Sequence, residues 1–296
     1  MRLKPGVTLD SAETTLRAAL VEWENARGAQ DYFQAYVDAV EKTFRPLQYA
    51  FAEPDLAGGL RTEVYRHILQ LGNPNRVTFR GTAPYVTSPT GGGEEIRARN
   101  GVLAAEIEHQ AAAMTSATEE LRALKLLAGR PGLPVVYDTN MLNHWAQPGD
   151  VRWREVLKEQ GEDTRLVRLI VPLRVLDELD RQKYGTGALA KKAATAIRYL
   201  DRVLSGHEPA APVDLRPGEA TLEVWHDGDH RDIDTDLAIL RCTADLANLH
   251  PTTGARTLTD DIGMRLRAHH MGLATLRLPE QYRKKGTAMD EVPPQV

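Results

Sequence analysis

The feature that most constrains this chain is a change of rhythm at Gly129-Arg-Pro-Gly132. Before it, apolar residues recur at helical spacing. After it, short β-rich runs alternate with helix-like stretches. A glycine-proline break between two such patterns marks a domain boundary. The expected division is a helical domain over 1–130, an α/β domain over 133–280, and a polar tail over 281–296. A chain of 296 residues has room for two domains of roughly 150 residues each.

Four helices are expected in the first part. Asp10-Ser-Ala-Glu13 has the form of a capping box, Leu16, Leu20 and Trp23 follow on one face, and Gly28 is a stop. The second runs over 30–45 with Phe33, Tyr36, Val37, Val40 and Phe44 inward, and Pro46 ends it. The third carries Leu60, Val64, Ile68 and Leu71 and ends at Gly72. Residues 73–93, rich in Gly, Pro, Thr and Ser, read as a mobile loop closed by Gly91-Gly92-Gly93. That triplet lacks the Lys-Ser/Thr of a phosphate loop. A long helix follows over 94–127, with Ile96, Leu103, Ile107, Met114, Leu121 and Leu124 as its buried stripe.

In the second part, strands are expected at 133–137, 166–171, 221–225, 256–259 and 273–277. Helices fill 150–159, 173–184, 187–204, 235–249 and 262–271. This alternation predicts an α/β fold, a mostly parallel sheet flanked by helices on both faces.

Composition narrows the function. With 42% hydrophobic and 26% charged residues the chain is of ordinary globular type. Its one cysteine, Cys242, excludes an internal disulfide, a cysteine-rich zinc site and a redox pair; it fits a reducing compartment and a buried position. No apolar run approaches the ~18 residues of a membrane helix, and Met1-Arg-Leu-Lys-Pro-Gly lacks the core of a signal peptide, so a cytoplasmic protein without a membrane partner is expected. A net charge of −4 excludes a basic nucleic-acid coat but leaves room for a local basic groove.

Carboxylates stand where such a fold builds its sites. Asp138 follows the first strand and Asp261 the fourth, at carboxyl ends of parallel strands. Glu178 lies in the helix after the second strand, and Asp236 opens the helix with Ile239, Leu240, Thr243 and Leu246 on its buried face. Close carboxylates repel unless a proton or cation relieves them, and hard cations take oxygen ligands, so the set implies Mg²⁺ or Mn²⁺ rather than zinc. Asp234 and Asp260 stand as substitutes or additions. Each acid also has an ordinary reading, as a helix cap or a solvated helix residue. His226 and His230 have no frame that fixes their spacing and read as a solvated loop; His269 and His270 read as helix-end cations. Positive charge for a phosphate backbone comes from Arg181, Lys183, Lys191, Lys192 and Arg198 beside Glu178, and from Arg265 and Arg267 beside Asp261. All of them could equally be helix-surface charges.

Val135-Val-Tyr-Asp138-Thr-Asn140-Met-Leu142 resembles the opening strand and Asp-Thr-Asn motif of the PIN-domain nucleases. Ile170-Val-Pro-Leu-Arg-Val-Leu-Asp-Glu178-Leu resembles their second block, Asp236-Leu-Ala-Ile239 with Ala244 the third, and Thr257-Leu-Thr-Asp260-Asp261 through Arg265, Arg267 and Gly272 the fourth. The Thr-Asp-Asp form is closest to PIN domains of RNA-decay factors. The resemblance covers about 133–279 in four ordered blocks, and residues 1–130 carry no recognised family motif. It implies a PIN-like mostly parallel sheet after an all-α N-terminal domain. It also implies Asp138, Glu178, Asp236 and Asp261 as catalytic metal ligands, and Thr139 or Asn140, with Thr259, as hydrogen-bonding supports. The implied activity is a Mg²⁺- or Mn²⁺-dependent endoribonuclease leaving 5′-phosphate and 3′-hydroxyl ends, in a toxin–antitoxin or RNA-turnover setting. RNA is then a partner, and the N-terminal helices a module for substrate, a protein partner or a homodimer. The alternatives are a catalytically weak PIN module that binds RNA or protein as a scaffold, and a structure-specific DNA nuclease. A Rossmann oxidoreductase is disfavoured because the first strand runs into Asp-Thr-Asn where a glycine-rich turn is needed.

Overall fold

A computed structural model describes residues 2–52, 56–71, 91–208, 211–226 and 234–284, with side chains for all of these except 71 and 91–96. The chain forms two compact units, Met1–Leu127 and Ala128–Val296.

In the first unit, α1 (Leu9–Arg27) is capped by Thr8, whose hydroxyl accepts from the Ser11 amide at 3.2 Å. The expected box at Asp10 is displaced: the N-cap is Thr8, two residues earlier, and Asp10 instead pairs with Lys125 at 2.8 Å. Gly28 ends α1. Helix α2 (Tyr32–Ala50) begins at Asp31, whose Oδ1 accepts from the Phe33 and Gln34 amides. It does not stop at Pro46. Proline removes one rung of the ladder, but the turn beyond it buries Leu47 and Ala50, and the Phe51 amide bonds Leu47 O at 2.9 Å. The buried stripe is Tyr36, Val40, Thr43, Leu47 and Ala50, while Phe33, Val37 and Phe44 are half-buried. The ring of Tyr36 packs edge-on against Trp23, with centroids 5.8 Å apart.

The expected third helix is two pieces, α3 (Ala57–Leu60) and α4 (Glu63–Leu71), broken at Arg61. Leu60 and Ile68 are buried, but Val64 is 44% exposed. Gly72 and the expected loop up to residue 90 lie outside the described residues. Helix α5 spans Gly91–Ala128, so Gly91-Gly92-Gly93 open it instead of closing a loop. The first turn has no intrahelical N–H rung to lose, and a helix of 38 residues carries three glycines there at small cost. Leu103, Ile107, Met114 and Leu121 are buried, and Leu124 is half-buried.

The second unit is built on one six-stranded sheet of order β3-β4-β2-β1-β5-β6. The strands are β1 (Leu133–Tyr137), β2 (Val167–Pro172), β3 (Val213–Arg216), β4 (Ala220–Trp225), β5 (Arg256–Leu258) and β6 (Ala274–Leu276). All neighbours are parallel except β3 with β4. Strands β1 and β2 are buried along their whole length, as central strands covered on both faces are. The connecting helices are α6 (Thr139–His144), α7 (Trp153–Glu159), α8 (Leu173–Lys183), α9 (Gly187–Leu204), α10 (Thr235–Leu249) and α11 (Ile262–His270). Strand β3 and helix α6 are additions to the expected elements. Gly132 adopts φ +107°, and a Cβ there would lie 2.9 Å from Leu166 O, so only glycine lets β1 start against β2. Cys242 is buried as expected. No helix among the described residues is long and apolar enough to cross a membrane.

Near the amino end of β2, Arg168 is 1% exposed and bidentate to Glu223 (2.8 and 3.1 Å), two residues beyond its register partner Thr221 and so on the same face. Arg130 adds a bond to Glu223 at 2.7 Å. Arg168 Nη1 also lies 3.0 Å from His250 Nε2, and because arginine can only donate, the imidazole accepts there and is neutral. Burial, reinforced by the Arg168 charge, pushes His250 down to about 4. An unfolded histidine titrates near 6.5, so the unfolded chain takes up the proton first and stability falls as pH drops from 6.5 to 4. His250→Asn should remove roughly 3 kcal/mol of this loss, seen as a flatter stability profile in urea unfolding between pH 7 and 4. An unchanged profile refutes the buried neutral imidazole.

Candidate active site

The chain moves from β1 outward through β2 and β4, then returns to the other side of β1 for β5 and β6. That reversal opens a crevice beyond the carboxyl ends of β1 and β5, the usual site position in open α/β sheets. Both strands end in an acidic cap. Asp138 is the N-cap of α6, its Oδ1 accepting from the Asn140 amide at 3.1 Å. Asp261 is the N-cap of α11, its Oδ1 accepting from the Met264 amide at 2.8 Å. Thr259 ties the two ends together. Its hydroxyl donates to Asp138 Oδ2 at 2.6 Å and accepts from the Asp261 amide at 3.1 Å.

Asp138 is 2% exposed, and its carboxyl is pushed up to about 6. Burial is the main cause; the Thr259 hydroxyl and the Asn140 amide work against it, and the charges of Asp236 and Asp261 add to it. Three of the expected acids thus share one electrostatic neighbourhood. Glu178, on α8, accepts from the Thr139 hydroxyl at 2.7 Å and from Gln182 Nε2 at 3.1 Å.

The remaining expected residues are placed as follows. Asp236, in the first turn of α10, pairs with Arg267 at 2.9 Å. Asp234 is exposed at the α10 N-cap position without a side-chain cap bond. Asp260 turns to Arg277 (3.0 Å to Nε) and Arg283 (3.9 Å). Thr139 supports Glu178 and not Asp138, while Asn140 supports Asp138 through its amide, its side chain being exposed. Among the described residues, no three His, Cys, Asp or Glu side chains meet closely enough to hold a metal ion. Asp138, Glu178, Asp236 and Asp261 therefore do not form such a group, and Asp236 is turned to Arg267.

Of the basic residues, Arg181 and Lys191 are exposed, Lys183 pairs with Asp180 and lies over the Tyr184 ring, and Arg265 is half-buried on α11. Lys192 Nζ lies 3.4 Å from His144 Nδ1. Arg198 bonds Thr195 on its own helix. His269 and His270 sit exposed in the last turn of α11, as expected of helix-end cations. His226 is exposed at the end of β4, and His230 lies outside the described residues. Two residues of the site escaped sequence reading, Asn143 and Gln182, joined by a 2.8 Å bond from Asn143 Nδ2 to Gln182 Oε1. The available signal was spacing: each lies four residues after a site residue, Thr139 and Glu178, on the same helix face.

Residues 135–278 match the family model of the PIN domain. This part of the chain is a PIN domain. PIN domains are in general nucleases and typically use divalent metal ions. No curated protein matches the chain. Among solved structures, the chain is similar to a domain of a functionally unknown protein from Methanocaldococcus jannaschii, with 20% identity over 50% of this chain and 92% of that one and a TM-score of 0.30.

The buried carboxyl of Asp138 makes the stability of the PIN domain depend on pH. With its carboxyl raised from 3.8 to about 6, Asp138 holds its proton more tightly folded than unfolded, so stability is lost as pH rises through that window. Asp138→Asn removes this cost. At pH 7 without metal, the variant should exceed the wild type by up to about 3 kcal/mol in urea unfolding, and the gap should close towards pH 4. A variant less stable than the wild type at pH 7 contradicts a buried, uncompensated carboxylate.

Proposed function

We propose that the protein is a Mg²⁺- or Mn²⁺-dependent endoribonuclease acting at the Asp138 crevice. One observation carries the reading: a carboxylate at the carboxyl end of the central strand is buried and pushed up to about 6, with two further acids adding charge to it. Such a group calls for a proton or a cation, and perturbed acids in a crevice are marks of function. The donor chemistry fits the cation. Asp138, Glu178, Asp236 and Asp261 offer oxygen only, which suits hard Mg²⁺ or Mn²⁺. Asp234, exposed at the N-cap position of α10, and Asp260 are further donors, Asp260 once released by Arg277 as Asp236 must be by Arg267.

A bound Mg²⁺ or Mn²⁺ supplies Lewis acidity that activates water and offsets charge on the phosphodiester. The chain's own part is to hold and orient. Thr259 fixes Asp138 and, through the Asp261 amide, the turn that presents Asp261. Thr139 and Gln182 fix Glu178. Arg267 must leave Asp236 for that carboxylate to serve, and once released it is a phosphate contact, with Arg265, Arg181, Lys183, Lys191 and Lys192 as others. Hydrolysis then leaves 5′-phosphate and 3′-hydroxyl ends. A toxin–antitoxin or RNA-turnover role follows this chemistry, with the N-terminal helices as the module for a partner or a second copy.

A second reading, a PIN module that binds without cutting, is favoured by the Arg267–Asp236 pair, which neutralises one acid internally. One assay separates the two: mixed structured and single-stranded RNAs, with matching DNA, incubated with Mn²⁺, with EDTA, and with Asp138→Asn. The nuclease reading expects Mn²⁺-dependent RNA cutting reduced at least 100-fold by the variant. Retained binding with no cutting, unaffected by Asp138→Asn, supports the binding module. Preferential cutting of DNA replaces RNA as the substrate.

A further inference from the structure

We infer that Gln182, anchored by Asn143, is a positioning residue that sets the cation affinity of the site by holding Glu178; the inference rests on the metal-site reading above. Helices α6 and α8 are joined by two polar rungs. Thr139 meets Glu178, and Asn143 meets Gln182 at 2.8 Å. Residues 139 and 143 are one turn apart on α6, as are 178 and 182 on α8, so the rungs are in step. Along α8 the ladder closes, because Gln182 Nε2 donates to Glu178 Oε1 at 3.1 Å. Both carboxylate oxygens of Glu178 are therefore engaged by donors, which removes its freedom to rotate. Helix α6 starts at Asp138 itself, so the same ladder fixes Glu178 relative to Asp138.

Packing alone does not account for these residues. Asn143 is 0% exposed, and its Oδ1 has no hydrogen-bond partner among the described residues. An orphaned buried acceptor is unfavourable, and an apolar residue of similar size would avoid it. What the asparagine adds is the Nδ2 bond that orients the Gln182 amide. With Oε1 accepting from Asn143, Gln182 must turn its NH₂ to Glu178. Supports of this kind commonly change metal affinity by about 10- to 100-fold when removed.

The test measures Mn²⁺ binding to metal-free protein by electron paramagnetic resonance, together with the melting temperature without metal. Gln182→Leu deletes the donor and leaves buried Asn143 Nδ2 unpaired. The double variant Asn143→Leu/Gln182→Leu deletes the donor with no unpaired partner and adds no charge. Both should weaken Mn²⁺ binding about tenfold or more, the double variant with a melting temperature close to the wild type, and Glu178→Gln should weaken it at least as much. Should Gln182→Leu unfold, the double variant decides. Wild-type affinity in the Gln182 variants beside a weakened Glu178→Gln overturns the inference and leaves the metal-site reading standing. Affinity lost only in parallel with melting temperature marks a structural role and also overturns it. A wild type that binds no Mn²⁺ overturns both.

Discussion

The acidic end of the sheet depends on the register between β1 and β5. Tyr137 pairs with Leu258, so the next residues, Asp138 and Thr259, leave the sheet side by side and can make their 2.6 Å bond. Side chains alternate along a strand, and a slip of one residue would send Asp138 and Thr259 to opposite faces. Register is set in turn by burial. Every residue of β1 is buried, with Val135, Val136 and Tyr137 at 0% exposure, so any slip would expose apolar surface or bury polar groups. The placement of Asp138 and Thr259 is thus fixed by apolar residues of the sheet.

The caps add a second layer of control. Asp138 and Asp261 each give one oxygen to a helix amide, the ordinary work of an acid after a strand. A carboxylate oxygen has two lone pairs, so capping does not exhaust the ligand capacity of either residue. The structural and functional readings of these acids are therefore compatible: the cap bond holds the side chain where a cation can use the rest.

The two edges of the sheet handle buried charge differently. Towards the amino edge, Arg168 and Glu223 satisfy one another through two bonds, Arg130 adds a third, and neutral His250 accepts a fourth. At the carboxyl edge Asp138 has only neutral donors, the Thr259 hydroxyl and the Asn140 amide, and its charged neighbours are acids. A buried pair closed on itself is structure. A buried acid held only by neutral donors keeps a raised pKa. Total charge cannot distinguish the two edges, and local pairing does.

That contrast also explains what the sequence made legible. Strand β1 and helices α9 and α10 coincide with their expected bounds because their burial patterns are continuous and local. Helix α6 escaped because Thr139–His144 is too short to display a helical period, and β3 because only Val213 of its four residues is buried. Pro46 misled because the buried turn beyond it outweighs one lost rung. The acids could be named from their positions after strands, but their partners could not. Arg267 reaches Asp236 across 31 residues and Asn143 reaches Gln182 across 39, and such pairings are created by the packing of helices on the sheet. A sequence reading therefore finds the groups able to do the chemistry and misses the ones that hold or restrain them. In this PIN domain those are Arg267, which occupies Asp236, and Gln182, which steadies Glu178. On the proposed reading, how readily the first lets go and how firmly the second holds decide whether these acids can hold a cation.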